Sequence, residues 1–435
     1  MTPRMNASDL DARRAALDLL GGCLDKGQPL DESLARHEAF ANLAPRDRAF
    51  VRLLLATTLR RLGEIEDVLA RLVDRPPEGR NAAAAHALRL GAAQLLFLGT
   101  PAHAAVDTSV RLVESWGLGH LKGLVNAVLR RVDREGGALL GDRDPARLNT
   151  PQWLWDSWSE SWGEDGTRRI AAAHLVEALL DLSVRADAAF WAGQLEAEIL
   201  PTGTLRRAAG GNVADLPGFA EGTWWVQDVA AALPARLLGD VAGQRVADLC
   251  AAPGGKTLQL AAAGAQVTAV DISARRLQRV SDNLARAGLS AEIVATDAAK
   301  WQPAVPFDAV LIDAPCSGTG TLRRHPDIAW LKEPADVARL ANTQARLLAR
   351  AVELVRPGGM IVYAVCSLQP EEGPEQIEAI LRREPRLARA PLTPADLPGL
   401  PEAIDAAGDL RTLPSMWAER GGMDGFYAAR LVRGT

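Results

Sequence analysis

The chain changes rhythm near residue 245, and that change restricts what its second half can become. Short, mostly apolar runs at 246–249, 266–271, 292–296, 308–312 and 360–365 alternate from there with helical stretches. Runs of this kind suit strands buried on both faces, as in a parallel sheet covered by helices. Ser273 can cap the helix after the second run, and a long helix at 337–355 stops at Pro357-Gly358-Gly359. The pattern predicts a doubly wound α/β sheet, whose site lies at the carboxyl ends of its strands.

Upstream the rhythm is different. Residues 9–134 are helical throughout, with Phe50, Leu54, Leu62, Ile65, Leu69 and Leu72 near one face. Pro76-Pro77 breaks the run, Asn81 can cap the next helix, Pro101 opens another, and 122–132 forms a short final helix. Alternating strand patterns are absent, which points to an all-α bundle over residues 1–135. Residues 136–150, rich in Gly, Asp, Arg and Pro, are expected to be a linker. A small α+β module is expected at 151–235, with helices at 171–182 and 194–199 and a cluster of Trp153, Trp155, Trp158 and Trp162. Residues 236–435 complete the chain as the α/β domain.

Composition excludes several classes. At 435 residues, 48% hydrophobic and 24% charged, the chain has ample material for two or three domains. No stretch is apolar enough to span a membrane, and the first ten residues lack the apolar core of a secretory leader. Four scattered cysteines form neither a disulfide framework nor a metal-ligand pattern, so a reducing, cytoplasmic setting without metal or membrane is expected. No protein partner is evident. The net charge of −5 disfavours a general nucleic-acid coat but leaves room for a local basic groove.

Chemistry concentrates at the strand ends. The first βα turn reads Asp248-Leu-Cys-Ala-Ala-Pro-Gly-Gly-Lys-Thr257. It lacks the glycine that a P-loop needs at position 250, and no G-x-G-x-x-G is present. What remains is a glycine turn able to hold a nucleotide-like cofactor, with Asp271 and Asp297 ending the second and third strands. Cys316, in Asp313-Ala314-Pro315-Cys316, and Cys366, in Val365-Cys366-Ser367, each follow a strand. A strand-end thiol is a candidate nucleophile, and either one could attack. Such a thiol suits methylation at carbon, because adding a thiolate to carbon 6 of a pyrimidine turns carbon 5 into a nucleophile. A nearby acid and a base flipped into a pocket complete the requirement. Arg323, Arg324 and His325 follow the first cysteine loop and could grip RNA phosphate or a base.

These segments resemble the Sun family of S-adenosylmethionine-dependent RNA cytosine-5 methyltransferases. The resemblance rests on the 248–257 turn, Asp313-Ala-Pro-Cys-Ser-Gly-Thr-Gly320, Cys366-Ser-Leu-Gln-Pro-Glu-Glu372, Arg323-Arg-His-Pro-Asp327 and Asp424-Gly-Phe-Tyr427. Pro217-Gly-Phe219 and Val226-Gln-Asp228 fit the same family, and Val125-Asn-Ala-Val-Leu-Arg130 makes the helical part similar to the antitermination factor NusB. The pairing implies the bacterial subgroup that methylates a cytosine of small-subunit ribosomal RNA, with a Rossmann-like catalytic sheet and an RNA-contacting middle module. The resemblance also implies that Cys250, Ala251, Ala252, Pro253, Gly254, Gly255, Lys256, Asp271, Asp297 and Asp313 hold the cofactor. It further implies that Cys366 is the nucleophile, with Cys316 assisting product release and Asp313 acting beside them. Gly373 stands where the family usually has Asn, and one aromatic of the usual Asp-Gly-Phe-Phe is missing. A transfer-RNA methyltransferase, and a non-catalytic RNA-binding or antitermination factor, are the alternatives.

Overall fold

The computed structural model describes residues 7–141 and 143–434. They fall into two compact units: the described part of Met1–Val176 together with Leu322–Lys332, and Glu177–Thr321 together with Glu333–Thr435. The residues read for a leader and Asp142 of the expected linker lie partly or wholly outside the described residues.

The first unit is helical. Helices Pro45–Arg60, Leu62–Leu72, Ala82–Leu96, Ala102–Ser115 and Lys122–Gly141 pack around Leu54, Leu59, Ile65, Leu90, Val113 and Leu129, all buried. Pro45 starts its helix at the first turn, where its missing N–H costs nothing.

The expected linker is not an open connection. The helix from Lys122 continues to Gly141, and Pro145–Leu148 forms a further helix. Asp144 caps that helix, accepting from the Ala146 N–H, and Pro145 occupies its first turn. The polar, proline-bearing composition therefore serves as a helix start. Asn149 docks the segment: its Nδ2 donates to Glu64 Oε2 at 2.7 Å and its Oδ1 accepts from the Glu64 N–H at 3.2 Å.

The tryptophan cluster belongs to this unit too. Helix Gln152–His174 carries all four, interrupted by non-helical Gly163. Trp155 and Trp158 are buried, so they serve packing. His174, 5.5 Å from the Trp158 ring, is buried with neither ring nitrogen hydrogen-bonded among the described residues. Burial, with the Arg323 charge added, pushes its pKa down to about 3.

The last component of the unit comes from far along the chain. Within Leu322–Lys332, Asp327 Oδ2 accepts from the Leu30 N–H at 3.0 Å, and Trp330 Nε1 donates to the Leu59 carbonyl at 2.8 Å. The Arg323 carbonyl accepts from Arg60 at 3.0 Å, and His325 lies 3.2 Å from Asp31.

The second unit holds two sheets. The smaller joins Leu180–Val184 (β1), Glu198–Ile199 (β2), Leu205–Arg207 (β3) and Trp224–Val226 (β4) in the order β2-β3-β1-β4, all antiparallel. Helix is therefore absent from 180–182, where sequence periodicity predicted it; β1 is hydrogen-bonded on both sides, with Leu182 fully buried. The second expected helix, at 194–199, moves upstream to Ala188–Gln194 because Asp187 caps it. Buried Asp181 and Arg206 pair at 2.7 Å and tie β1 to β3.

The larger sheet contains Arg245–Leu249 (β5), Gln266–Asp271 (β6), Glu292–Ala295 (β7), Phe307–Asp313 (β8), Val355–Val365 (β9), Leu387–Arg389 (β10), Leu410–Thr412 (β11) and Phe426–Arg433 (β12). Its order is β10-β12-β9-β8-β5-β6-β7, with β11 also on β12. Strands β5 to β9 are parallel, while β12 runs antiparallel to β9. From β5 the chain winds one way through β6 and β7, then the other way through β8 and β9. The switch point lies between β5 and β8.

Two outcomes test this fold. Trp330→Ala removes a packed indole and its hydrogen bond, and is expected to destabilise the helical unit by about 2–3 kcal/mol in urea melts. His174 binds its proton more weakly folded than unfolded, so its contribution to stability falls as pH drops from 6.5 toward 3. Between pH 7 and 5 that loss is about 2 kcal/mol, and His174→Leu is expected to abolish this share. Equal acid sensitivity in both proteins would contradict it.

Candidate active site

The switch point gathers three loops, following β5, β8 and β9. The β5 loop is the glycine turn. Cys250 has φ 62° and Gly254 has φ 108°, and the helix Gly255–Ala262 starts immediately after. A Cβ at Gly254 would come within 3.2 Å of the Val280 side chain, so only glycine keeps both the backbone conformation and the approach. The Ala251 N–H donates to the Val270 carbonyl at 3.0 Å, which seats the turn on β6.

Carboxylates surround this turn. Asp271, buried at the end of β6, accepts from the Ser273 N–H at 2.9 Å and faces Arg276 at 3.6 Å. Asp297 lies two residues beyond β7 and accepts from the Ala299 N–H at 3.0 Å. Asp248 is fully buried; its Oδ2 accepts from Thr257 at 2.6 Å, and its Oδ1 has no hydrogen-bond partner among the described residues. Burial raises its pKa to about 7. Lys256 reaches Asp313 Oδ2 at 2.6 Å and lies 5.3 Å from the Phe426 ring.

The β8 and β9 loops bring the two candidate thiols together. Cys316 Sγ and Cys366 Sγ are 3.4 Å apart, and all four cysteines are free. The Cys316 thiol is held well above its usual range, first by its hydrogen bond to Cys366, then by burial and by the charges of Cys366 and Glu372. Cys250 and Cys23 are each pushed up to about 12, chiefly by burial, which makes them poor nucleophiles. Backbone bonds lock the two loops: Ala314 N–H to the Ala364 carbonyl at 2.9 Å, and Gly320 N–H to the Cys366 carbonyl at 3.0 Å. The Gly425 N–H donates to the Gly320 carbonyl at 2.8 Å, and a Cβ at Gly320 would overlap the Gly425 backbone.

Sequence reasoning assigned no role to Glu372. It is fully buried, whereas Glu371 beside it is exposed. Its carboxylate accepts from Ser317, Ser367 and Gln344. Arg411 was missed as well. It lies 4.9 Å from the Tyr427 ring and donates to the Ser367 carbonyl at 2.8 Å, and burial pushes its pKa down to about 10. A Cβ at Gly373 would come within 2.9 Å of its guanidinium, so glycine here makes room for Arg411.

Arg323, Arg324 and His325 belong to the helical unit. Arg323 is buried at 1% exposure, which removes its side chain from any RNA-facing surface. Among the described residues no cluster of three His, Cys, Asp or Glu could hold a metal ion, and no helix is long and apolar enough to cross a membrane.

A doubly wound sheet with a glycine turn after its first strand and acids on the next two is a Rossmann-like nucleotide-cofactor fold, and similarity to known families makes it a methyltransferase with S-adenosylmethionine as its cofactor. Residues 235–432 match the model of the 16S rRNA methyltransferase RsmB/F family, and residues 10–134 match that of the NusB family. Over its length the chain is similar to proteins named ribosomal RNA small subunit methyltransferase B. It is 36% identical to that of Klebsiella pneumoniae, covering 98% of this chain and 99% of the relative. It is 37% identical to that of Pseudomonas syringae, covering 98% and 97%. The chain belongs to this methyltransferase family.

Solved structures agree on the fold. One described as PH0851 superposes with a TM-score of 0.77 at 22% identity, covering 98% of this chain and 99% of its own. A methyltransferase homolog from Pyrococcus horikoshii gives 0.56 at 25% identity, over 67% of this chain and 97% of its own.

The turn and its acids are compatible with the cofactor: a helix starts at Gly255 behind the turn, and Asp271 at the end of β6 is a candidate acceptor for ribose hydroxyls. Asp271→Asn is expected to weaken S-adenosylmethionine binding about ten- to hundredfold in calorimetry, by removing charge-assisted hydrogen bonds. Unchanged affinity in the folded variant would move the ribose elsewhere.

Proposed function

We propose that this protein methylates carbon 5 of a cytosine in small-subunit ribosomal RNA through a covalent cysteine adduct. The observation that carries the reading is the pair of free thiols 3.4 Å apart at neighbouring strand ends, beside the cofactor turn. Methyl transfer to nitrogen or oxygen needs no thiol. Carbon 5 of a pyrimidine does, because it becomes nucleophilic only after a nucleophile has added to carbon 6.

Bound S-adenosylmethionine supplies the electrophilic methyl group. Cys250 to Lys256 would line it, Asp271 would accept from its ribose, and Asp297 would lie toward its adenine. Asp313, held by Lys256, would face the flipped base as the nearby acid. The Cys366 thiolate would add to carbon 6; a sulfur–carbon bond forms, and the ring electron pair shifts to carbon 5, which would take the methyl as the donor's sulfur–methyl bond breaks and its electron pair stays on the departing thioether. Loss of the carbon-5 proton then restores the ring double bond as the sulfur–carbon bond breaks and the thiolate departs.

The electrostatics of the pair support giving attack to Cys366 and release to Cys316. In the resting pair the Cys316 thiol is raised well above its usual range by its contact with Cys366, by burial and by nearby negative charge, so it keeps its proton and is the poorer attacking group. Once the Cys366 sulfur is bonded to carbon it carries no charge. Two of the causes that raise Cys316 then disappear, which suits Cys316 to relay the carbon-5 proton.

Near-full-length similarity to small-subunit ribosomal RNA methyltransferases favours ribosomal over transfer RNA as substrate, and a cytoplasmic location fits work on bacterial ribosomal RNA. Cys366→Ala is expected to lower 5-methylcytosine formation at least about 10³-fold and to form no adduct. Cys316→Ala is expected to accumulate a protein–RNA band on a denaturing gel. A band with Cys366→Ala instead would reverse the roles, and full activity in both variants would end the covalent reading. Bisulfite sequencing of ribosomal and transfer RNA from a deletion strain separates the two substrates.

A further inference from the structure

We propose that Glu372 is the positioning residue of the thiol pair. Its buried carboxylate sets Cys316 and Cys366 at contact distance by holding the residue that follows each of them. This rests on the reading above for its catalytic meaning, though the geometry stands independently of it.

Oε1 accepts from the Ser317 N–H at 2.8 Å and from Gln344 Nε2 at 3.1 Å. Oε2 accepts from the Ser317 hydroxyl at 2.5 Å and from the Ser367 hydroxyl at 2.5 Å. One carboxylate thus bridges the ends of two different strands, β8 and β9. Gln344 also donates to the Pro315 carbonyl at 2.9 Å, so Cys316 is fixed from both sides. The Tyr363 hydroxyl donates to the Glu372 carbonyl at 2.6 Å and anchors the carboxylate's own backbone to β9.

A carboxylate with no exposure is costly to bury, and it persists here because four donors compensate its charge. An apolar residue of similar size would avoid that cost, but it could not join the two loops. The charge has a second consequence. Glu372 is one of the groups that disfavour ionisation of Cys316, so the same side chain that sets the spacing also helps keep the proton on Cys316.

The test reads spacing and ionisation without using methyl transfer. Phenylarsine oxide condenses with two adjacent thiols, forming two arsenic–sulfur bonds and releasing one water, and it binds tightly only when the thiols are close. Glu372→Gln is expected to weaken its binding about ten- to hundredfold, the scale of one charge-assisted hydrogen bond. S-adenosylmethionine affinity is expected to stay within about twofold, because the glycine turn is untouched. The pH midpoint for iodoacetamide alkylation of Cys316, followed by peptide mass spectrometry, is expected to move down. A role in stability alone would leave that midpoint in place. Should Glu372→Gln fail to fold, the double variant Ser317→Ala, Ser367→Ala carries the arsenical test, since it keeps the carboxylate and removes both hydroxyl ties.

Unchanged arsenical affinity in a folded variant, or an unmoved Cys316 midpoint in Glu372→Gln, would overturn the proposal. If the wild-type protein binds the arsenical as expected but forms no 5-methylcytosine, the positioning role stands and the proposed function fails.

Discussion

Everything at the site depends on the parallel pairing of β5 with β8 and of β8 with β9. This pairing lines up three carboxyl ends at the point where the winding reverses. Loops that are separate in sequence become neighbours there: the glycine turn after Leu249, the Pro-Cys loop after Asp313 and the Cys-Ser loop after Val365. Register sets the spacing. Asp313 is paired with Ala364, so Cys316 and Cys366 leave the sheet from adjacent positions. Antiparallel β12 closes the far side of β9 and brings Gly425 against Gly320, which holds the Cys316 loop down.

Two thiols at contact distance are not equivalent. The contact with Cys366, burial and the charge of Glu372 all raise the Cys316 thiol well above its usual range. Lys256 spends its charge on Asp313, so the thiols do not borrow it. The site is therefore asymmetric before any substrate arrives.

Local signals made the catalytic sheet legible. Strands at 246–249, 266–271 and 292–296 were visible as apolar runs bounded by turns, and Cys316 and Cys366 stood out because each follows such a run. Non-local facts were hidden. Glu371 and Glu372 are adjacent and identical in type, yet one is exposed and the other is fully buried; only the loops packed around them separate the two. Arg323 and Arg324 follow the cysteine loop in sequence, and nothing local shows that Leu322–Lys332 docks on helices more than two hundred residues earlier in the chain, through the Leu30–Asp327 and Arg60–Arg323 bonds. The strands at Leu387–Arg389 and Leu410–Thr412 are too short to leave a periodicity. The helix start at Pro145 was disguised by residue types that linkers and caps share.

The central claim is that Cys366, and not its neighbour, bonds to the base. RNA bearing 5-fluorocytosine at the target position tests this directly, because fluorine at carbon 5 cannot leave as a proton and the adduct stays covalent. Peptide mass spectrometry of the trapped wild-type protein is predicted to find the RNA remnant on the peptide containing Cys366 and the Cys316 thiol unmodified. A remnant on Cys316, or no covalent species after methyl transfer, would contradict the account.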